Sequence, residues 1–122
     1  MKLGEIQRIL GAELIWGSEA QMEIEIDYAG ASDLMSDVLA FSKPGLLFLT
    51  GLANAKSVRT ADIVEAKAII YVRGKKPDME GLELAMEKGI PILSTKCMMY
   101  EACGLLKENG LPGITEFQEK KE

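Results

Sequence analysis

Three uninterrupted apolar runs, Leu46–Leu49, Ala68–Val72 and Ile90–Leu93, constrain this chain more than any other feature, because none of them alternates with polar residues. Short runs of this kind bounded by turn residues read as strands, and the lack of a period of two means that both faces of each strand are covered. Between them the spacing becomes helical. Val58, Ala61 and Val64 make one stripe, Met79, Leu82, Ala85 and Met86 a second, and Met99, Ala102, Cys103 and Leu106 a third. Strands joined by single helices run parallel, with crossovers of one hand. The pattern predicts an α/β fold in three layers, a mostly parallel sheet of about 4–5 strands with helices on both faces.

The flanking segments complete this plan. Leu3, Ile6, Ile9 and Leu10 follow helical spacing, and Gly11 stands where a left-handed cap would close that helix. Glu13–Gly17, ELIWG, reads as a brief strand. Met22, Ile24, Ile26 and Tyr28 alternate with Glu23, Glu25 and Asp27, which predicts an edge strand buried on one face only. Gly89 and Gly110 fall at helix ends, and Pro91 opens a strand rather than interrupting one. The expected organisation is one domain over residues 1–110 followed by a flexible C-terminal tail, 111–122, with little to bury.

Composition removes several classes of function. The net charge of −5 opposes nucleic-acid binding, which needs a basic face to displace counterions. No apolar stretch approaches the roughly 20 residues that span a bilayer, so no membrane is expected and the protein is read as cytoplasmic. Histidine is absent, and histidine-based catalytic triads go with it. Cys97 and Cys103, six apart on an expected helix, would point about 240° from each other at 3.6 residues per turn, so they cannot share a zinc and read as small buried hydrophobes.

In an open parallel sheet the loops that follow the strands emerge at one edge, where helix N-termini aim unpaired amides at ligands. Those loops here contain Ser32, Thr50 with Gly51 and Asn54, Arg73 with Gly74, and Ser94, Thr95 and Lys96. Small hydroxyls, glycines and cations therefore share a rim. Ser32, Asn54 and Thr95 also fit as helix caps without any ligand, and Lys75-Lys76-Pro77-Asp78 fits as a solvated loop capped by Asp78. Arg73, directly after an apolar strand, is placed to grip a phosphate or carboxylate at two points. Thr50–Ser57, TGLANAKS, lies between a strand and a helix but has Thr50 and Ala55 where a phosphate loop requires glycine, so it is read as a helix start.

Carboxylates at Glu65, Glu80, Glu83, Glu87 and Glu101 fall on polar helix faces, and Asp33 and Asp37, four apart on one expected helix, form only a weak metal pair. No catalytic residue, cofactor or metal is assigned. Ser32–Phe41, SDLMSDVLAF, carries Leu34, Met35, Val38, Leu39 and Phe41, a broader apolar surface than one sheet face needs, and is expected to mediate self-association as a homodimer.

With the segments placed, SDLMSDVLAFSKPGLLFLTGLAN, SVRTAD, AIIYVRGKKPD and KGIPILSTKCMMYEACGLL together resemble the DRTGG domain family, over residues 1 to about 110. Such domains are similar to the N-terminal, non-kinase part of HPr kinase/phosphorylase, and occur beside CBS domains and within long phosphotransacetylases. The resemblance implies an α/β module that regulates or senses and leaves catalysis to other domains. The family's naming run is replaced here by Val58-Arg59-Thr60-Ala61-Asp62, which keeps Arg-Thr, so Arg59 is carried over as a site residue. The expected function is thus a stand-alone, non-enzymatic regulatory module that binds a small anion or a partner protein at the strand-end rim. A metal-assisted phospho- or acyl-transfer enzyme and a pure dimerisation module without ligand are the alternatives.

Overall fold

All five residues of Leu46–Thr50, all four of Ala68–Tyr71 and all three of Ile92–Ser94 are buried, as strands covered on both faces must be. The computed structural model describes residues 1–121. The chain runs α1 (Leu3–Leu10), β1 (Glu13–Trp16), a 3-10 turn (Ala20–Glu23), β2 (Tyr28–Ala31), α2 (Met35–Phe41), β3 (Leu46–Thr50), α3 (Ala55–Ile63), β4 (Ala68–Tyr71), α4 (Met79–Lys88), β5 (Ile92–Ser94), α5 (Met99–Glu108) and α6 (Ile114–Lys121). The sheet order is β1-β5-β4-β3-β2. β2 to β5 pair in parallel, and β1 is added antiparallel beside β5. This is the expected three-layer, mostly parallel α/β fold.

Each crossover from β2 to β5 steps to the adjacent strand in the same direction. Crossovers of one hand that step one way put their helices on one face. The core divides accordingly: Met35, Val38, Val58, Ala61 and Ala85 of α2, α3 and α4 pack with Phe48, Ile69 and Tyr71 on one side. Leu3, Ile6 and Leu10 of α1 pack with Ala102 and Leu106 of α5 on the other, against Leu47, Leu49, Ile70 and Leu93. Gly11 closes α1 at φ 58°, its amide donating to the Arg8 and Gln7 carbonyls, and Gly89 closes α4 at φ 70°.

Two expectations are corrected. The alternating segment Met22–Tyr28 is not a sheet strand along its length; β2 begins at Tyr28, and the residues before it run beside the N-terminus. The Leu3 amide donates to the Ile24 carbonyl and the Ile26 amide to the Met1 carbonyl, while Lys2 pairs with Glu23 at 2.7 Å and the terminal ammonium with Glu25 at 3.0 Å. Two of the three acids that produced the period of two, Glu23 and Glu25, are thus ion-pair partners of the first two residues. The C-terminal segment also has something to bury. Leu111 is buried, the Ala29 amide on the outer edge of β2 donates to the Pro112 carbonyl, and the Phe117 ring stacks on Tyr28 with centroids 4.9 Å apart. Covering an edge strand gives that segment a docking place which no local pattern announces.

Candidate functional site

Parallel pairing brings the C-terminal ends of β2, β3, β4 and β5 to one edge, so the loops after them are neighbours in that order. The loop after β2 is closed by Ser32, whose hydroxyl donates to the Leu34 carbonyl and accepts from the Leu34 amide at 2.9 Å. That leaves Asp33 free to reach sideways. Its Oδ1 accepts from the Thr50 hydroxyl at 2.8 Å and from the Gly51 amide at 2.7 Å, and its Oδ2 lies 3.7 Å from Arg73 Nη1. The Gly51 amide is the main cause holding the Asp33 carboxyl below its ordinary pKa; partial burial opposes it, and the Thr50 hydroxyl and the Arg73 charge reinforce it.

Arg73 owes its position to an uncommon backbone. It has φ 59°, in the left-handed region that non-glycine residues rarely enter, and Gly74 follows at φ 69°. This turn folds the loop onto its neighbour: the Arg73 amide donates to the Cys97 carbonyl at 2.9 Å and the Gly74 amide to the Thr95 carbonyl at 2.8 Å. The guanidinium in turn lies against Gly51, where a Cβ would stand 2.7 Å from Nη2. Residue 51 must be glycine for the arginine to rest there.

The remaining rim residues separate into structural and open groups. Ser94 donates to the Lys75 carbonyl at 2.6 Å, and Thr95, 1% exposed, donates to the Leu10 carbonyl at 2.8 Å and accepts from the Cys97 amide at 3.2 Å. Neither hydroxyl caps α5, whose cap residue is Met98. Asn54 does cap α3, accepting from the Ser57 amide at 3.3 Å, while the Ser57 hydroxyl meets the Tyr71 hydroxyl at 2.8 Å beneath. Asp78 caps α4 through the Gly81 amide. Arg59 lies 3.9 Å from Glu80 on the exposed seam between α3 and α4, one turn inside the helix. By contrast, Lys75 and Lys96 are exposed and form no ion pair among the described residues. A recess of about 420 Å³ lies beside them, lined by Gly11, Glu13, Gly74, Lys76, Thr95 and Lys96, with Lys76 3.2 Å from Glu13.

The structure therefore brings Thr50, Gly51, Arg73, Gly74 and Lys96 to one rim, assigns Ser94 and Thr95 to holding the loops, and sets Arg59 aside. Sequence reasoning missed the role of Asp33. It and Asp37 do not share a helix, because α2 starts at Met35. The usable signal was topological: consecutive strands lying side by side put the residues just beyond β2, β3 and β4 in a row. Cys97 likewise precedes α5 rather than lying on it, and burial raises the Cys103 thiol. Of the five residues expected at a partner surface, Met35 and Val38 are buried under α2, whereas Leu34, Leu39 and Phe41 are exposed. Among the described residues, no group of three or more cysteines, aspartates and glutamates could hold a metal ion, and no helix is long and apolar enough to cross a membrane.

These features define a layered α/β domain with a one-way parallel sheet and a polar, partly cationic rim at its strand ends. Among solved structures, the chain is similar to the crystal structure of the CBS and DRTGG domains of the regulatory region of Clostridium perfringens pyrophosphatase, complexed with its activator diadenosine tetraphosphate. The TM-score is 0.75 at 20% identity, and the match covers 91% of this chain and 47% of that one, so this chain spans about half the length of its structural neighbour. The fold is the one that the resemblance to DRTGG domains implies. No family model matches the chain, and no curated protein matches it.

Proposed function

We propose that this chain is a cytoplasmic, non-catalytic regulatory module that binds a small phosphate-bearing anion at its strand-end rim. One observation carries the reading: in a chain of net charge −5, Arg73 is held in left-handed backbone with its guanidinium against Gly51, and the same rim carries the exposed Lys75 and Lys96, which form no ion pair among the described residues. Backbone strain of this kind costs about 1–3 kcal/mol and persists where the surroundings enforce it, which is common at binding sites. The structurally similar regulatory region is complexed with a polyphosphate activator, which supports the same ligand class. The titratable groups near the rim fit binding better than chemistry. Asp33 is held as a weakly basic anion, and burial raises the Tyr71 phenol away from neutrality.

A thermal-shift panel of nucleotides, sugar phosphates and acyl phosphates tests the proposal. A specific ligand at 100 times its Kd stabilises by about 2.7 kcal/mol. Lys96→Glu should remove that response, whereas Lys43→Glu, at the opposite edge of the sheet, should retain it. A panel with no stabilising phosphate compound would reject the reading.

Self-association belongs to the same proposal and rests on the exposed Leu34, Leu39 and Phe41 of the α2 segment. Leu39→Glu should convert a dimer into a 13.3 kDa monomer in solution. A variant with the mass of the parent protein would count against it.

A further inference from the structure

Resting on the anion reading above, we propose that Asp33 is a tethered occupant of the rim's anion cradle, and that a phosphoryl ligand binds there by displacing it. The donors converging on Asp33 are those an oxyanion would use: the Thr50 hydroxyl, the Gly51 amide and the Arg73 guanidinium. Two of them serve one carboxylate oxygen and the third faces the other. A phosphoryl group offers three oxygens and more charge, and so can take both positions at once. Asp33 is also replaceable in structural terms. It stands in a loop between β2 and α2, its side chain is half exposed, and the Arg73 side chain is exposed to a similar degree. An ion pair that wet contributes little net stability. The loop's own closure comes from Ser32 rather than from Asp33.

A tethered carboxylate competes at an effective concentration of roughly millimolar or more, so it screens out weak monoanions and lowers the affinity of every ligand by a constant factor. It also links occupancy to a partner surface. Releasing Asp33 unties from Thr50 and Gly51 the loop that leads through Leu34 into α2, the segment that carries the exposed Leu39 and Phe41.

The test is an amide NMR titration of the whole chain with inorganic pyrophosphate, in the parent protein, Asp33→Ala and Asp33→Asn. The parent should show coupled shifts at Gly51 and Leu34. Asp33→Ala should bind at least tenfold tighter, and Asp33→Asn, which keeps an accepting oxygen but loses the charge, should fall between. Equal or weaker binding by either folded variant overturns the tethered-carboxylate assignment, and so does failure of both variants to fold. If pyrophosphate shifts Gly74 and Lys96 with one affinity in all three proteins, only this assignment falls and the anion reading stands. If none of the three responds, both fall.

Discussion

Thr95→Val is expected to destabilise the protein by about 2 kcal/mol, the cost of leaving buried polar groups without partners. The substitution keeps the shape of the side chain and removes one hydroxyl that works in both directions. That hydroxyl satisfies the Leu10 carbonyl, one of the acceptors a helix leaves open in its last turn, across 85 residues of sequence. It also accepts from the Cys97 amide. With Thr95 only 1% exposed, the bond to the Leu10 carbonyl is buried and the one from the Cys97 amide is partly so. Urea unfolding should show a lower midpoint with an unchanged slope. Thr95→Ser should recover most of the loss, and the response to phosphate ligands should persist in both variants. A midpoint within error of the parent would show that the hydroxyl is not a structural pin, and would return Thr95 to the set of ligand contacts.

Arg73→Ala is expected to abolish ligand-induced stabilisation while leaving the fold in place. Its guanidinium, 3.7 Å from Asp33, would donate to a phosphate at two points, and charge-assisted hydrogen bonds contribute roughly 1.5–3 kcal/mol each before ordering costs. Arg73→Gly should lose the ligand response equally but be the more stable of the two variants by about 1 kcal/mol, because an L-residue at φ 59° carries a steric cost that glycine avoids. The pair of variants separates what the backbone costs from what the side chain does. A retained ligand response in a folded Arg73→Ala protein would move the site elsewhere. Equal stability of the two would mean that the left-handed turn at residue 73 carries no strain.

The layered fold was legible because its causes are local and redundant. Leu46–Leu49 and Ala68–Val72 admit little besides covered strands, and Gly11 and Gly89 mark helix ends by a conformation that other residues avoid. What misled the reading were ties over long distance. Glu23 and Glu25 mimicked the polar face of a strand while serving Lys2 and the N-terminal ammonium. The segment 111–122 was expected to have little to bury because the ring that Phe117 stacks on, Tyr28, lies far back along the chain. At the rim, residue type predicted position well and role poorly. Ser94 and Thr95 look like ligand donors in a one-dimensional reading, yet their hydroxyls are spent on the Lys75 and Leu10 carbonyls. Asp33 looked like an ordinary helix-face acid, and only the adjacency of β2, β3 and β4 brings it to Gly51 and Arg73.

The direction of winding has one more consequence. Where a parallel sheet reverses its strand order, neighbouring loops diverge and open a deep crevice that swallows a ligand. From β2 to β4 this sheet never reverses, and the loops that follow these strands all lead to helices on one face, so a molecule resting on them would keep one side in water. Shallow seating of that kind favours rapid arrival and departure. Occupancy would then follow the surrounding concentration with little lag, as a gauge needs and a store does not.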